Sequence, residues 1–403
     1  MTPVEIERFD EYLVFAKLSE GTTAHVLLGL HQGAAGARKL VVIKRLRAHL
    51  ARDPREFELF CQEAHLSASL RHPNIVETHK VGIHRGQPFL AMEYLNGQPL
   101  ARLVRALTGK SQRLSATLSA QIGAAALGAL QHVHEGVDYN GQPLGTVHCD
   151  VSPHNLLLTY DGQPKLLDFG VARTRTQRHG PEGRSVRGHS AYVAPEQARH
   201  EEVDARADVW GVGVALWECL VGRPLFRGDS ELAVLRATLT DEIPPVNELA
   251  AHVPEALSEI IDRALQRNPE RRYPNALEFR QALEGWLASQ RVSDPQKALE
   301  RVMQPVFATD MAARASEIES SLARVDRALA AGPRKEKPAV ERRPVSVPPP
   351  LPSKRPSAPA PAVPTMEANP RSAPISKPAG IFSAAALGLS GLFSAFGQAR
   401  RGR

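Results

Sequence analysis

From Phe9 to Ile43 apolar and polar positions alternate, with turns between the runs, which is the period of antiparallel strands with one buried face. One run, Leu40-Val41-Val42-Ile43, ends on a cation, Lys44. Between Pro54 and Leu70 the period changes: Phe57, Phe60 and Ala64, with Leu66 alongside, recur at helical spacing and turn Glu63 toward the strands. Pro88 to Leu95 reads as a strand again and enters a turn at Asn96-Gly97. Beyond it the character of the chain shifts. Leu114 to His134 is an Ala- and Leu-rich run with few charges, the signature of a buried helix, and helical patterns dominate to Leu287. These patterns predict an α+β protein with a β-rich first lobe over 9–95 and an α-helical second lobe over 96–286.

The remainder divides by composition. Val292 to Leu329 has weak helical periodicity, giving a helical extension over 287–332 of one or two helices, either packed on the lobes or standing apart. Residues 333–378 hold 14 prolines among Ser, Ala, Lys and Arg, too little apolar surface to fold, so 333–379 is expected to be a disordered basic linker. In the final 380–403 segment, Ile381 to Gly397 is uncharged and apolar, with Arg400, Arg401 and Arg403 behind it. At 17 residues, with serines and glycines inside, it sits at the short limit of a membrane span; contact with a membrane or a partner protein through 381–403 is the expectation.

The formal charge of +7 changes this picture little. Residues 334–403 carry 12 Lys or Arg against 3 Asp or Glu, which leaves the two lobes close to neutral. No helix-turn-helix, zinc-finger or aromatic-basic pattern is present, so no nucleic-acid partner is expected. Cys61, Cys149 and Cys219 are scattered and odd in number, and no charged-then-apolar leader opens the chain, which points to a reducing cytoplasm.

The chemistry concentrates in His148-Cys149-Asp150-Val151-Ser152-Pro153-His154-Asn155. Pro153 forbids a continuing helix, so a loop projects Asp150 and Asn155 between the apolar positions Val147 and Leu156-Leu157-Leu158. A turn at Tyr160-Asp161-Gly162-Gln163 and a strand at Pro164-Lys165-Leu166-Leu167 then lead to Asp168-Phe169-Gly170. Such a hairpin brings Asn155 beside Asp168, two oxygen-bearing ligands for a hard divalent cation, with the Asp150 carboxylate in front of them. That layout suits phosphoryl transfer. A metal cluster of His148, Cys149 and His154 is the competing reading, but no second Cys or His pair lies at a suitable spacing.

These motifs resemble the catalytic loop and D-F-G of the protein kinase superfamily, and the resemblance extends over about 9–286. Leu40-Val41-Val42-Ile43-Lys44 is similar to the V-A-I-K strand, with Glu63, 19 residues on, as the ion-pair partner of Lys44. Ala194-Pro195-Glu196 resembles the A-P-E that closes the activation segment, with Arg272 as the partner of Glu196 and Asp208-Val209-Trp210-Gly211 as the helix that braces the catalytic loop. The resemblance is to bacterial eukaryotic-like Ser/Thr kinases and implies a bilobal kinase fold, ATP and Mg2+ as cofactors, and protein substrates with Ser or Thr acceptors. It casts Asp150, Lys44, Glu63 and Asn155 as catalytic, and Asn155 and Asp168 as metal ligands. Ser19, Gly21, Val26, Val42, Lys44, Met92, Glu93, Leu95 and Leu157 become the nucleotide-binding set, with Met92 as gatekeeper and the Glu93–Leu95 backbone as the adenine hinge.

Five positions depart from the family pattern. Ser19 and Ala24 stand where the first and third glycines of the nucleotide loop belong, Cys149 replaces the arginine of H-R-D, and Ser152 replaces the lysine two residues after Asp150. That lysine normally meets a threonine near the end of the activation segment, a position held here by His189. A pseudokinase scaffold is the alternative these departures support. Cys149 further implies little control by phosphorylation at Thr174, Thr176, Ser185 or Ser190, with Arg173, Arg175, Arg178, Arg184 and Arg187 as local substitutes for the missing cation.

Overall fold

The computed structural model describes residues 1–33, 37–137, 141–170, 189–290 and 294–330. The expectations for Thr174 to Arg187, for the linker and for the apolar end therefore lie outside the described residues.

The N-terminal lobe is an antiparallel sheet of β1 (Thr2–Phe9), β2 (Tyr12–Glu20), β3 (Ala24–Gln32), β4 (Arg38–Leu46), β5 (Thr78–His84) and β6 (Gln87–Glu93), with α1 (Pro54–Ser69) packed on it. Its order is β1-β2-β3-β4-β6-β5. The sheet begins at Thr2, ahead of the expected boundary at residue 9, because β1 adds to the free edge of β2. Alternation sorts the side chains. Val41, Ile43, Leu27, Phe89 and Ala91 form a buried core on one face, while Val42 pairs with Met92 across the sheet and Lys44 lies between Val26 and Leu90 on the other. Pro54 starts α1, its preceding Asp53 side chain accepts the Arg55 amide, and Phe60 and Ala64 anchor its buried face.

The C-terminal lobe runs through β7 (Gly97–Pro99), α2 (Leu100–Thr108), α3 (Ala116–His134), β8 (Leu156–Thr159), β9 (Pro164–Leu166), α4 (Pro195–Ala198), α5 (Arg206–Val221), α6 (Glu231–Thr240), α7 (Val246–Leu249), α8 (Glu255–Ala264) and α9 (Ala276–Ala288). Its core is built on α3, α5 and α9, with Trp210, Trp217 and Phe279 fully buried. The strands β7-β8-β9 form a small sheet at the lobe junction. Gly97 is required there, since a Cβ would come within 2.2 Å of the Leu158 carbonyl.

The helical extension packs on both lobes. Its span α10 (Pro295–Ala330) is two helical stretches joined at a kink, where Phe307 leaves helical geometry just after Pro305 has removed a backbone donor. At 36 residues its contour is about 54 Å. Leu299, Met303 and Phe307 join the C-lobe core, and the Arg102 guanidinium lies over the Phe307 ring while pairing with Asp310. Farther on, Val325 is buried with Leu13, Phe15, Leu28 and Leu30 of the sheet, and Tyr94, Ile318 and Leu322 pack against the same cluster. Ion pairs from Arg38 to Asp326 and from the N-terminal amine to Glu317 add to the attachment. Truncating Val325 to Ala removes two methylene equivalents from the seam and should lower the free energy of unfolding by about 2 kcal/mol. Chemical denaturation that finds no loss would show that α10 detaches from the sheet in solution.

Candidate active site

Lys44 reaches across the cleft between the lobes. Its Nζ is 2.5 Å from Glu63 Oε1 and 2.7 Å from Asp168 Oδ1. Burial works against the ammonium charge, but Asp168 and Glu63 together hold the lysine protonated well above its ordinary value. Burial in turn raises Glu63, with Lys44 opposing it. The charge of Lys44 draws Asp168 down to about 2, so this carboxylate is ionised at neutral pH. The side chain of Asp168 is 48% exposed at the mouth of the cleft, open to a further ligand.

Backbone geometry aims these groups. Asp168 has φ 60° and Cys149 φ 65°, both in the left-handed region, at a cost of about 1–3 kcal/mol each. The conformation of Asp168 turns its carboxylate toward Lys44 while the next residue, Phe169, is buried against the His148 ring. Asp208 on α5 compensates at the catalytic loop. It is buried, and its carboxylate accepts the amides of His148 and Cys149, each at 2.8 Å, and His134 Nε2 at 2.7 Å. Burial alone would raise Asp208; these donors hold it below the usual carboxylate value. Cys149 is packed into the C-lobe core in place of a projecting cation.

The hairpin expectation holds in detail. The Leu167 amide donates to the Asn155 carbonyl at 2.8 Å, which places Asp168 next to Asn155. Asn155 Nδ2 donates to the Asp150 carbonyl at 2.9 Å and to Asp150 Oδ2 at 2.8 Å. Both hydrogens of the amide are thereby committed, leaving its Oδ1 as the atom that can face a cation. With the Asp168 carboxylate this is a hard-oxygen donor pair that fits magnesium. Among the described residues no cluster of three or more His, Cys, Asp or Glu could hold a metal, so the reading of His148, Cys149 and His154 as ligands has no support.

The expected nucleotide set divides in two. Val26, Val42, Met92 and Lys44 share one face of the sheet, where Glu93 ends β6 and Leu95 follows two residues later. Glu93 also pairs with Lys165 at 2.8 Å and so ties the end of β6 to β9. Leu157 is in β8 between β7 and β9. The β2–β3 loop is closed by Gly21 N–H to the Ala24 carbonyl at 3.0 Å, and Glu20 at its shoulder pairs with Arg47 at 2.8 Å. Gly21 is exposed on this pinned loop, and Ser19 is exposed near the end of β2, opposite Val26.

Away from the cleft, Glu196 and Arg272 form a buried two-point ion pair with both bonds at 2.7 Å. Sequence reasoning missed the His134 bond to Asp208, the Glu93–Lys165 tie and the 2.7 Å bond from Tyr192 Oη to Glu218. None of these pairs has a spacing that a linear pattern could flag.

The family model described as Protein kinase domain matches residues 12–284. The chain is 41% identical over 286 residues to the tyrosine-protein kinase MasK of Myxococcus xanthus, a match covering 70% of this chain and 44% of that protein. It is 36% identical over 247 residues to the serine/threonine-protein kinase PknB of Mycolicibacterium smegmatis, covering 60% and 37% of the two chains. Among solved structures, the kinase domain of Mycobacterium tuberculosis PknI superposes with a TM-score of 0.52 at 26% identity, covering 69% of this chain and 97% of that one. The chain thus spans less than half the length of the curated relatives it matches. On sequence, fold and the order of its motifs, it belongs to the protein kinase family, as a eukaryotic-like kinase of the bacterial type.

Proposed function

We propose that the chain is an active protein kinase that transfers the γ-phosphoryl group of Mg-ATP to Ser or Thr hydroxyls of protein substrates in bacterial signal transduction. The observation that carries this reading is the closed cleft: Lys44 bonds Glu63 and Asp168 together while Asn155 holds Asp150. In this reading Lys44 grips the α- and β-phosphates, Val26, Val42, Met92 and Leu157 enclose the adenine, and the Glu93–Leu95 backbone hydrogen-bonds its edge. Asn155 and Asp168 would hold magnesium, which when bound neutralises charge on the phosphate oxygens. Asp150 orients the acceptor hydroxyl and takes its proton. The functional unit runs over about 9–286, with α10 as its brace.

A tyrosine acceptor is the second reading, favoured by the similarity to MasK and by Ser152 at the lysine position. Labelled ATP, magnesium and a mixed acceptor protein, followed by phosphoamino-acid analysis, test both at once. Label on Ser or Thr supports the proposal, and label on Tyr alone replaces it with the second reading. Incorporation no higher than that of Asp168→Ala would leave a nucleotide-binding scaffold. No described helix is long and apolar enough to cross a membrane.

A further inference from the structure

We propose that His189 is a positioning residue for Asp150 and supplies, from the end of the activation segment, the positive charge that the catalytic loop lacks at Ser152. This inference rests on the kinase reading above.

Asp150 is held from two sides. One carboxylate oxygen, Oδ2, accepts Asn155 Nδ2, and the other, Oδ1, accepts the His189 backbone amide at 3.0 Å and lies 3.2 Å from His189 Nδ1. Two separate segments therefore fix the plane of the carboxylate, and only the His189 side brings a group that can carry charge. Nδ1 must bear a hydrogen to bond Oδ1, so Nε2 alone decides whether the ring is neutral or cationic. Ser152 Oγ is 3.3 Å from the same Nδ1, so serine, imidazole and carboxylate form one cluster where the two departures from the family pattern meet.

The surroundings assign the charge to His189. The His154 ring stacks on it with centroids 4.6 Å apart and planes within 3°. Two parallel imidazoles at that separation do not both protonate readily. Burial lowers His154, with the neighbouring His189 and Arg105 adding to the effect and Asp150 opposing it. His189 moves the other way: the bond to Asp150 raises it, burial opposes, and the charges of Asp150 and Asp168 add to the rise. From the short turn that follows, the Tyr192 ring stands nearly perpendicular to that of His189, with centroids 6.4 Å apart. Lys44 is committed to Glu63 and Asp168, and among the described residues no Lys or Arg pairs with Asp150.

The chemical use is definite. The acceptor oxygen forms a bond to the γ-phosphorus as the bond from that phosphorus to the β,γ-bridging oxygen breaks. The bond's electron pair leaves on ADP, and the hydroxyl proton passes to Asp150. An imidazolium beside Asp150 balances a carboxylate that otherwise repels the incoming triphosphate, and it holds the oxygen that receives the proton.

The sign of the pH dependence follows. A group with a raised value is charged below its ordinary value, so the contribution of His189 is full below the ordinary imidazole value and disappears as pH rises through the raised one. Steady-state kinetics of the full chain with Mg-ATP and a protein acceptor test this. His189→Ala should lower kcat by about a hundredfold with little change in the KM for ATP, and should abolish the alkaline fall of the wild-type profile. His189→Gln, which can donate to Asp150 without a charge, should keep the fold and recover part of kcat with a flat profile. The double variant Ser152→Lys/His189→Thr moves the cation onto the loop and should restore kcat with no alkaline fall. Wild-type kcat at every pH in His189→Ala and His189→Gln would overturn the inference, provided Asp150→Asn, assayed in parallel, is inactive. If Asp150→Asn is fully active, it is the kinase reading that fails.

Discussion

Replacing Asp150 with Asn is expected to lower kcat by about 10²–10⁴-fold and to leave the KM for ATP nearly unchanged, the size of a lost general base. The split follows from position. Asp150 bonds Asn155 and His189, whereas Lys44 bonds Glu63 and Asp168. Asn preserves the volume and can still meet the Asn155 amide, so the loop keeps its shape while losing its proton acceptor. Asp168→Ala acts on the other side: it removes a bond to Lys44 and one of the two candidate metal ligands, so magnesium-dependent nucleotide binding should weaken with turnover. Calorimetric titration with ATP, with and without magnesium, separates the two variants. Equal kcat in wild type and Asp150→Asn would remove Asp150 from the chemistry.

Much of the cleft was legible because the motifs are local. Lys44 ends an apolar run, Glu63 sits on the inward stripe of α1, and a hairpin with a glycine turn brings Asp168 back to Asn155. The register of β4 against β3 and β6 puts Val42 and Lys44 on one face of the sheet. Even the junction of Ser152 with His189 could be anticipated, because two positions that normally touch had changed together. The consequence for charge could not, since it depends on distances to Asp150 and His154 that no spacing encodes.

The placement of α10 was not legible for a different reason. Leu299, Met303 and Phe307 recur every fourth residue, and Ile318, Leu322 and Val325 resume the stripe, but alanines fill much of the remaining surface and mark no face. Pro305 and the non-helical Phe307 then divide the stripe at a kink, which leaves two short amphipathic stretches instead of one long one. The partners of that stripe come from both lobes, from Leu13 in β2 to Arg102 in α2. Only the folded chain brings them into line.

The largest effect on stability is expected at Glu196 and Arg272. The guanidinium is 0% exposed and the carboxylate 4%, and the other Arg272 donors are spent on the Gln266, Arg206 and Arg267 carbonyls. Glu196→Ala leaves that cation buried with carbonyl dipoles but no counter-charge, which should lower unfolding free energy by about 3–5 kcal/mol. Because Glu196 follows directly on the segment that carries His189, the same loss should loosen the end of that segment and reduce turnover. Replacing the pair together, Glu196→Leu with Arg272→Met, removes both charges and should be less destabilising than Glu196→Ala alone, since no desolvated ion is left over. It still breaks the tie between α4 and the loop ahead of α9, so turnover should not recover with stability. Denaturant unfolding and steady-state kinetics on the same preparations provide the check. A Glu196→Ala protein within about 1 kcal/mol of wild type would mean that water reaches Arg272 and that the pair is not the closed clamp described here.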